Sequence, residues 1–327
     1  MKKMMIIAMS AIMMAACSSD NENNGARPHG DGNGDNGGQT VELQISGGIL
    51  AEIAKAQTRA ANSAWEASDA IGIYAVATGG TTAITGGENV SYTASEAAET
   101  NGTSYTSFSA TSGTSIALPN DGSAIDVYGY YPYTASVTPA GQAISVATQT
   151  SQKAIDWMTT NVTNKTTQDG STTITKANPS CQLLFAHSLC KLQLNLVHGS
   201  GLTATDITTS PSVSIAGLPT TATLNLYTGA VSSQGTPAAI APVQMGTAET
   251  NYDASFEAII LPYTTAAAHA VTLTLNGKNY AFNIASGKTF AAGNKYTYNV
   301  TVNAAGLAIS AAITPWDNGG SENVTAQ

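Results

Sequence analysis

An all-β protein built as β-sandwiches is the fold class this sequence predicts, and three observations carry that expectation. Apolar residues recur at every second position in many short segments, which is the period of a half-buried strand. The positions between them hold mostly Thr, Ser, Asn, Ala and Gly, and charged residues make up only 10% of the chain, a mix that suits uncharged strand faces better than the outer faces of a helical bundle. No long helical pattern is present, and short strands at close spacing with Thr-rich outward faces point to sandwiches. A length of 327 residues with 43% hydrophobic content is enough for one large domain or two ordinary ones with real cores.

Residues 1–17 read as an export leader. Lys2 and Lys3 form a positive start, and residues 4–14 form an apolar core far too short to span a bilayer as a permanent helix. Met14-Ala15-Ala16-Cys17 resembles the lipobox of bacterial lipoprotein signal peptides. That resemblance implies acylation at Cys17 and cleavage just before it; the alternative is an ordinary signal peptide with a chance cysteine. Several acyl chains on Cys17 would anchor the protein firmly, where one chain would not. No other segment has the length and hydropathy to cross a membrane as a helix.

Residues 21–40 are Gly, Asn and Asp without apolar periodicity, and read as a flexible tether. Asp31, Asn33, Asp35 and Glu42 fall at positions 1, 3, 5 and 12 of a calcium loop, but position 6 is Asn36 and flanking helices are lacking, so an acidic linker is the better reading. Residues 41–46 (VELQIS) alternate as a short strand, and residues 49–57 suit a helical turn or two. Ile71, Ile73 and Ala75 alternate with Gly72, Tyr74 and Val76; residues 126–133 (DVYGYYPY) are β-prone up to Pro132; residues 151–158 suit a turn or short helix.

Residues 183–197 read as one apolar strand in which Leu192, Leu194 and Leu196 alternate with Gln193 and Asn195. Val271, Leu273 and Leu275, then Asn276-Gly277, then Tyr280, Phe282 and Ile284 make a hairpin, because Asn-Gly suits the left-handed φ of a tight turn. Tyr296, Tyr298, Val300 and Val302 mark the next strand, and Leu307, Ile309, Ala311 and Ile313 the last, ending at Pro315-Trp316. No internal repeat is evident.

Net charge is −9 with pI about 4.7, which excludes nucleic acid as a partner class. Catalytic patterns are missing: there is no H-E-x-x-H, C-x-x-C, G-x-S-x-G, Walker loop or strand-linked G-x-G-x-x-G. His29, His187, His198 and His269 are scattered, and Asp121 with Asp126 is the nearest carboxylate pair, of a kind that usually flanks a surface turn. Trp65, Trp157 and Trp316 could stack on sugars, though sandwich cores bury tryptophan more often. The expectation is a protein that is not an enzyme and takes no cofactor or metal. In an oxidising exterior Cys181 and Cys190 could pair, but on one continuous strand they would lie about 30 Å apart. Two buried thiols are the reading favoured here, and a turn between them would leave a disulfide open.

Arginine is scarce in an informative way. The chain has two, Arg27 and Arg59, and Arg27 precedes Pro28, whose fixed φ and missing N–H make a poor protease site. An arginine-specific protease therefore has one good site, Arg59–Ala60. Residues before that bond read as leader, tether and pro-segment, and residues after it as folded β-protein.

The lipobox, Thr58-Arg59, Trp65 with Asp69-x-Ile71-Gly72-Ile73-Tyr74, Tyr130-Tyr131-Pro132-Tyr133, Phe185-x-His187, Lys191-Leu192, Thr228-Gly229, Leu261-Pro262, Thr289-Phe290-x-x-Gly293-x-x-Tyr296-x-Tyr298 and Ile313-x-x-Trp316 together resemble the fimbrillin family, the Mfa-like subunits of Bacteroidales type V pili. The resemblance implies two transthyretin-like β-sandwich domains in tandem, lipoprotein export to the outer membrane, and maturation at an arginine. It also implies strand exchange, in which a groove left by a lost N-terminal strand takes a C-terminal strand of the next subunit. The implied division is signal peptide 1–17, tether 18–40, pro-segment with removable strand 41–59, N-terminal sandwich 60–180 and C-terminal sandwich 181–327. The implied donor strand is 307–313, with Leu307, Ile309, Ala311 and Ile313 as its inward residues. Removal to Arg59 takes five positive and six negative residues and leaves a body of −8. The implied partners are other pilus subunits, the protease, the outer membrane through the lipid, and an adhesion receptor on host or bacteria. The competing expectation is an anchor or monomeric surface lipoprotein uncut at Arg59, binding glycans on exposed aromatics such as Tyr131 and Tyr133.

Overall fold

In a computed structural model, residues 39–50, 65–95, 105–160, 165–166, 173–315 and 324–325 are described. Strands dominate, as the alternating pattern requires. The first half carries β1 (Gln44–Ile49), β2 (Ala70–Ala77), β3 (Val90–Ala94), β4 (Thr106–Ala110), β5 (Ile125–Tyr131), β6 (Gln142–Ser145), β7 (Met158–Thr159), β8 (Lys165–Thr166) and β9 (Ser180–His187). The second half carries β10 (Cys190–His198), β11 (Ser212–Pro219), β12 (Thr221–Leu224), β13 (Val231–Ser232), β14 (Pro237–Ile240), β15 (Val243–Gln244) and β16 (Ala254–Ile260). It ends with β17 (Tyr263–Thr264), β18 (His269–Leu275), β19 (Lys278–Ile284), β20 (Thr289–Phe290), β21 (Asn294–Asn303), β22 (Gly306–Pro315) and β23 (Val324–Thr325). A short helix, α1 (Ala204–Thr208), starts at a capping box in which the Thr203 backbone N–H donates to Asp206 Oδ2 at 2.8 Å.

The first sheet runs β1-β4-β3-β2-β5-β7-β9-β8, and β1 also pairs with β9. Tracing neighbours from β1 through β4, β3, β2, β5, β7 and β9 therefore returns to β1. Its interior holds Ile45, Ile49, Ile71, Ile73, Phe108, Val127, Leu183 and Phe185 around Trp65. The Trp65 ring meets Phe108, Tyr131 and Phe185 edge-on at 5.2, 5.5 and 5.1 Å, a favoured arrangement for aromatic quadrupoles. A second core lies between the sheet β15-β16-β10-β21-β22-β23 and the sheet β14-β11-β18-β19. Leu192, Leu194 and Leu196 from one face Val213, Ile215, Val271 and Leu273 from the other. Residues 39–327 form one compact unit containing both cores.

The expected hairpin is present: β18 and β19 pair from His269↔Ile284 to Leu275↔Lys278, with Asn276 and Gly277 at φ 49° and 76°. The segment 183–197 differs from expectation, because two strands occupy it. β9 pairs with β1 in the first sheet and β10 with β16 and β21 in the second, and the chain crosses between sheets at Ser188-Leu189. The expected boundary near residue 180 falls at the first residue of β9. β10 is also not half-buried: Lys191, Gln193 and Asn195 are as buried as the leucines. On that outer face Gln193 Nε2 donates to Glu249 Oε1 at 3.0 Å, Asn195 Oδ1 accepts from Ser255 Oγ at 2.8 Å, and Lys191 Nζ meets Glu257 Oε2 at 3.2 Å. Residues 152–154 form the expected short turn of 3₁₀ helix. Ile49, expected to open a helical turn, closes β1 instead, and 51–57 lie outside the described residues.

Candidate functional site

β1 lies between two strands of the first sheet. It pairs antiparallel with β4 (Ile45↔Phe108, Ser46↔Ser107, Gly47↔Thr106) and parallel with β9, from Gln44↔Ser180 to Ile49↔Phe185. The preceding residues continue the pairing: Leu43 N donates to Ile116 O at 2.8 Å and Leu118 N to Val41 O at 2.9 Å. Leu43, Ile45 and Ile49 point into the first core, exposed by 2%, 4% and 2%. Gly47 completes the inward series, and a Cβ there would stand 3.0 Å from Phe108 Cε2 and 3.2 Å from Phe185 Cε2. The inner face of β1 is thus large-large-small-large, and the small position is filled by the two aromatic rings.

β22 lies at the other end of the chain. It pairs antiparallel with β21 over ten residues, from Asn294↔Pro315 to Asn303↔Gly306, while among the described residues β23 covers its far edge at Ser310 and Ala311. Leu307, Ile309 and Ala311 pack part-buried against the second core, and Ile313 is 51% exposed. The expected last strand is therefore present, with its apolar face only partly used. Cys17, Arg59 and Ala60 lie outside the described residues, as do Trp316 and His29.

Directly after the Arg59 region the chain is tied down at Trp65. Glu66 N donates to Asp69 Oδ2 at 2.8 Å and Asp69 N to Glu66 O at 3.0 Å. Lys153 Nζ bridges Glu66 and Asp69 at 2.7 Å each. Burial and the neighbouring Asp69 carboxylate push the Tyr131 phenol well above its ordinary range.

Among the described residues, the histidines and the Asp121 and Asp126 carboxylates have partners within the fold. His187 Nδ1 meets Asp156 Oδ1 at 2.8 Å inside the protein, His198 Nδ1 meets Asp253 Oδ2 at 2.8 Å, and His269 contacts Ala216 O and the Tyr263 hydroxyl. Asp121 accepts from Ser123 N in its own turn and Asp126 from Gly79 N. Among the described residues no group of three His, Cys, Asp or Glu side chains could hold a metal. Cys181 and Cys190 are both buried and not joined by a disulfide. Trp65 and Trp157 are core residues, and Tyr131 is buried, so it offers no face to a sugar.

The family model for fimbrillin-like proteins matches residues 58–316. The chain belongs to the fimbrillin-like family. A curated relative from Bacteroides uniformis, named "Putative fimbrium subunit Fim1C", is 32% identical over 342 residues and covers 100% of both chains. A crystal structure from Bacteroides uniformis ATCC 8492, described as a "putative cell adhesion protein", superposes with a TM-score of 0.68 at 30% identity, covering 85% of this chain and 98% of that one. Another, from Bacteroides ovatus ATCC 8483, shares the fold with a TM-score of 0.61 at 21% identity, covering 86% of this chain and 100% of that one. The fimbrillin-like family is one of structural fimbrial subunits, not enzymes.

What the sequence reading missed in this fimbrillin-like chain is Gly47. The signal was two adjacent glycines inside an alternating apolar run, since glycine within a strand often marks close approach by another group.

Proposed function

We propose that this chain is a polymerising structural subunit of a cell-surface fimbria that acts in adhesion. It is exported to the outer membrane as a lipoprotein acylated at Cys17, matured by cleavage at Arg59–Ala60, and assembled by strand exchange. The observation that carries the reading is the position of β1. It lies on the N-terminal side of Arg59, yet is bonded along both edges and fills the first core with Leu43, Ile45 and Ile49.

A cut at Arg59 leaves β1 held by non-covalent contacts alone. Its departure opens a groove with unpaired backbone groups on β4 and β9 and an apolar floor. An open strand edge of that kind is satisfied by adding a strand from another chain. Trp65, packed edge-on against Phe108, Tyr131 and Phe185 and followed by the Glu66–Asp69–Lys153 contacts, keeps the downstream body in place when β1 leaves. β22 supplies the donor through Leu307, Ile309, Ala311 and Ile313, whose burial contributes on the order of 4–10 kcal/mol before ordering costs. A head-to-tail contact between unlike surfaces does not close, so it propagates as a filament.

Replacing Arg59 tests the reading. In cells carrying Arg59→Ala as the sole copy, the high-mass ladder in mildly heated surface extracts disappears and the subunit keeps its N-terminal segment. An unchanged ladder in that strain refutes maturation at Arg59.

A further inference from the structure

Residues 43–49 read Leu-Gln-Ile-Ser-Gly-Gly-Ile and residues 307–313 read Leu-Ala-Ile-Ser-Ala-Ala-Ile. Both are strands, the first in β1 and its lead-in, the second in β22. We infer that β22 of a second copy of this chain replaces β1 in one direction and one register: Leu307 for Leu43, Ile309 for Ile45, Ala311 for Gly47 and Ile313 for Ile49. This rests on the strand-exchange reading and adds to it the partner, the polarity and the alignment.

The Gly47 position selects the register. A Cβ there already meets Phe108 and Phe185 at 3.0 and 3.2 Å, so the ring edges yield a few tenths of an ångström to alanine, and a larger side chain is not admitted. Sliding β22 by two residues in the same direction brings Ile309 or Ile313 to that position. Sliding by one residue turns Ser310 and the alanines inward and the large residues out. Reversing the strand with Leu307 opposite the Ile49 slot places Ile309 there. The remaining reversed alignment that keeps Ala311 at Gly47 puts Pro315 in the Leu43 slot, which is enclosed by pairing on both edges at Ile116 and Pro179, where proline, with no N–H to give, does not fit. In the inferred register Pro315 falls beyond the last residue of β1.

The move also improves the surroundings of β22. At home, among the described residues, it has a full partner on one edge only, and Ile313 is 51% exposed. In the groove β4 and β9 flank it, and Ile313 takes a slot where Ile49 is 2% exposed. The chain carries a copy of its own removable strand, so a single protein suffices to build a filament.

Cysteine pairing reads which residue of β22 stands at the Ser46 position, and substitution at Ala311 reads the polarity. Ser46 stands opposite Ser107, and in the inferred alignment Ser310 takes the place of Ser46. The chain carrying Ser107→Cys and Ser310→Cys, cleaved at Arg59 as the only subunit and then oxidised, yields a ladder of disulfide-linked multimers that reductant collapses. The uncut protein yields none, because β1 still fills the groove. Ala311→Ile keeps the thermal stability of the uncut parent but abolishes assembly after cleavage, whereas Ala311→Gly assembles. Cross-linking of Ser107→Cys to Ala312→Cys in place of Ser310→Cys means a reversed or slipped strand and overturns the inference. Normal assembly by Ala311→Ile, or assembly only when a different subunit is added, overturns it as well. Those results leave strand exchange standing. Failure of the cleaved, folded parent to form multimers under any mixture removes strand exchange itself, and the inference with it.

Discussion

Substituting Gly47 tests the slot on which the assembly account depends, in the uncut protein and without any filament. Gly47→Ala adds a Cβ 3.0 Å from Phe108 Cε2 and 3.2 Å from Phe185 Cε2. Both are ring edges that can tilt, and the residue has no left-handed φ to strain. Replacing a strand glycine returns about 0.4–1 kcal/mol through the unfolded chain, which offsets the small repacking cost, so the net effect is within about 1 kcal/mol of zero. Gly47→Val adds two further methyls where the first carbon is already in tight contact, and overpacking of that kind costs about 1–3 kcal/mol. At about 2 °C per kcal/mol for a domain of this size, thermal unfolding followed by circular dichroism shows Gly47→Ala within about 2 °C of the parent. Gly47→Val unfolds about 2–6 °C lower. If valine is as harmless as alanine, the slot is open, and neither the packing of β1 nor the alignment of β22 follows from it.

Further expectations concern the rest of the molecule. Gly72 lies beneath the Tyr130 ring, where a Cβ would sit 2.1 Å from Cε1, and Tyr130 Oη is pinned by Asn89 Oδ1 and Thr134 O. Gly72→Ala therefore costs at least about 2–3 kcal/mol in urea unfolding, and a loss under about 1 kcal/mol shows that the ring moves freely. Burial raises Tyr74, Tyr263 and Tyr298 to about 12 from an ordinary value of 10.0. These phenols stabilise the fold fully below pH 10, and the contribution is lost as pH rises through 10 to about 12, because the unfolded chain ionises first. Absorbance of phenolate should thus rise together with loss of structure above pH 10; complete ionisation with the fold intact at pH 11 contradicts their burial. Burial also pushes the Cys190 thiol up, and Cys181 is equally buried. A chromogenic disulfide reagent accordingly finds no fast-reacting thiol in the folded body and two after denaturation.

Local pattern was readable where a strand pairs with the strand that follows it in sequence. The β18–β19 hairpin follows from alternation and Asn276-Gly277, and β21 with β22 from Tyr296, Tyr298, Val300 and Val302 followed by Leu307, Ile309, Ala311 and Ile313. What periodicity could not convey was which strands are covered twice. Ile71, Ile73 and Ala75 face one core while Tyr74 and Val76 face the other, and the buried Gln193 and Asn195 find their polar partners in Glu249 and Ser255, far along the sequence. The division of 183–197 at Ser188-Leu189 was hidden because both halves are apolar, and the one sign of it is a change of phase, from inward Leu183 and Phe185 to inward Leu192, Leu194 and Leu196. No internal repeat was visible either, since the likeness between 43–49 and 307–313 acquires meaning only when β1 is known to be enclosed and its Gly47 position to be closed. The aromatic positions showed the opposite pattern. Trp65, Trp157 and Tyr131 were legible as β-protein aromatics, and burial decides against a sugar-stacking role for Tyr131.

The N-terminal residue of the subunit within filaments sheared from the cell surface tests the central claim most directly. Mass spectrometry of that material is expected to show a chain beginning at Ala60, free of lipid and of residues 41–59. A chain that begins at acylated Cys17 and retains β1 in the filament contradicts the account, because the groove that β22 is proposed to fill would then never have been opened.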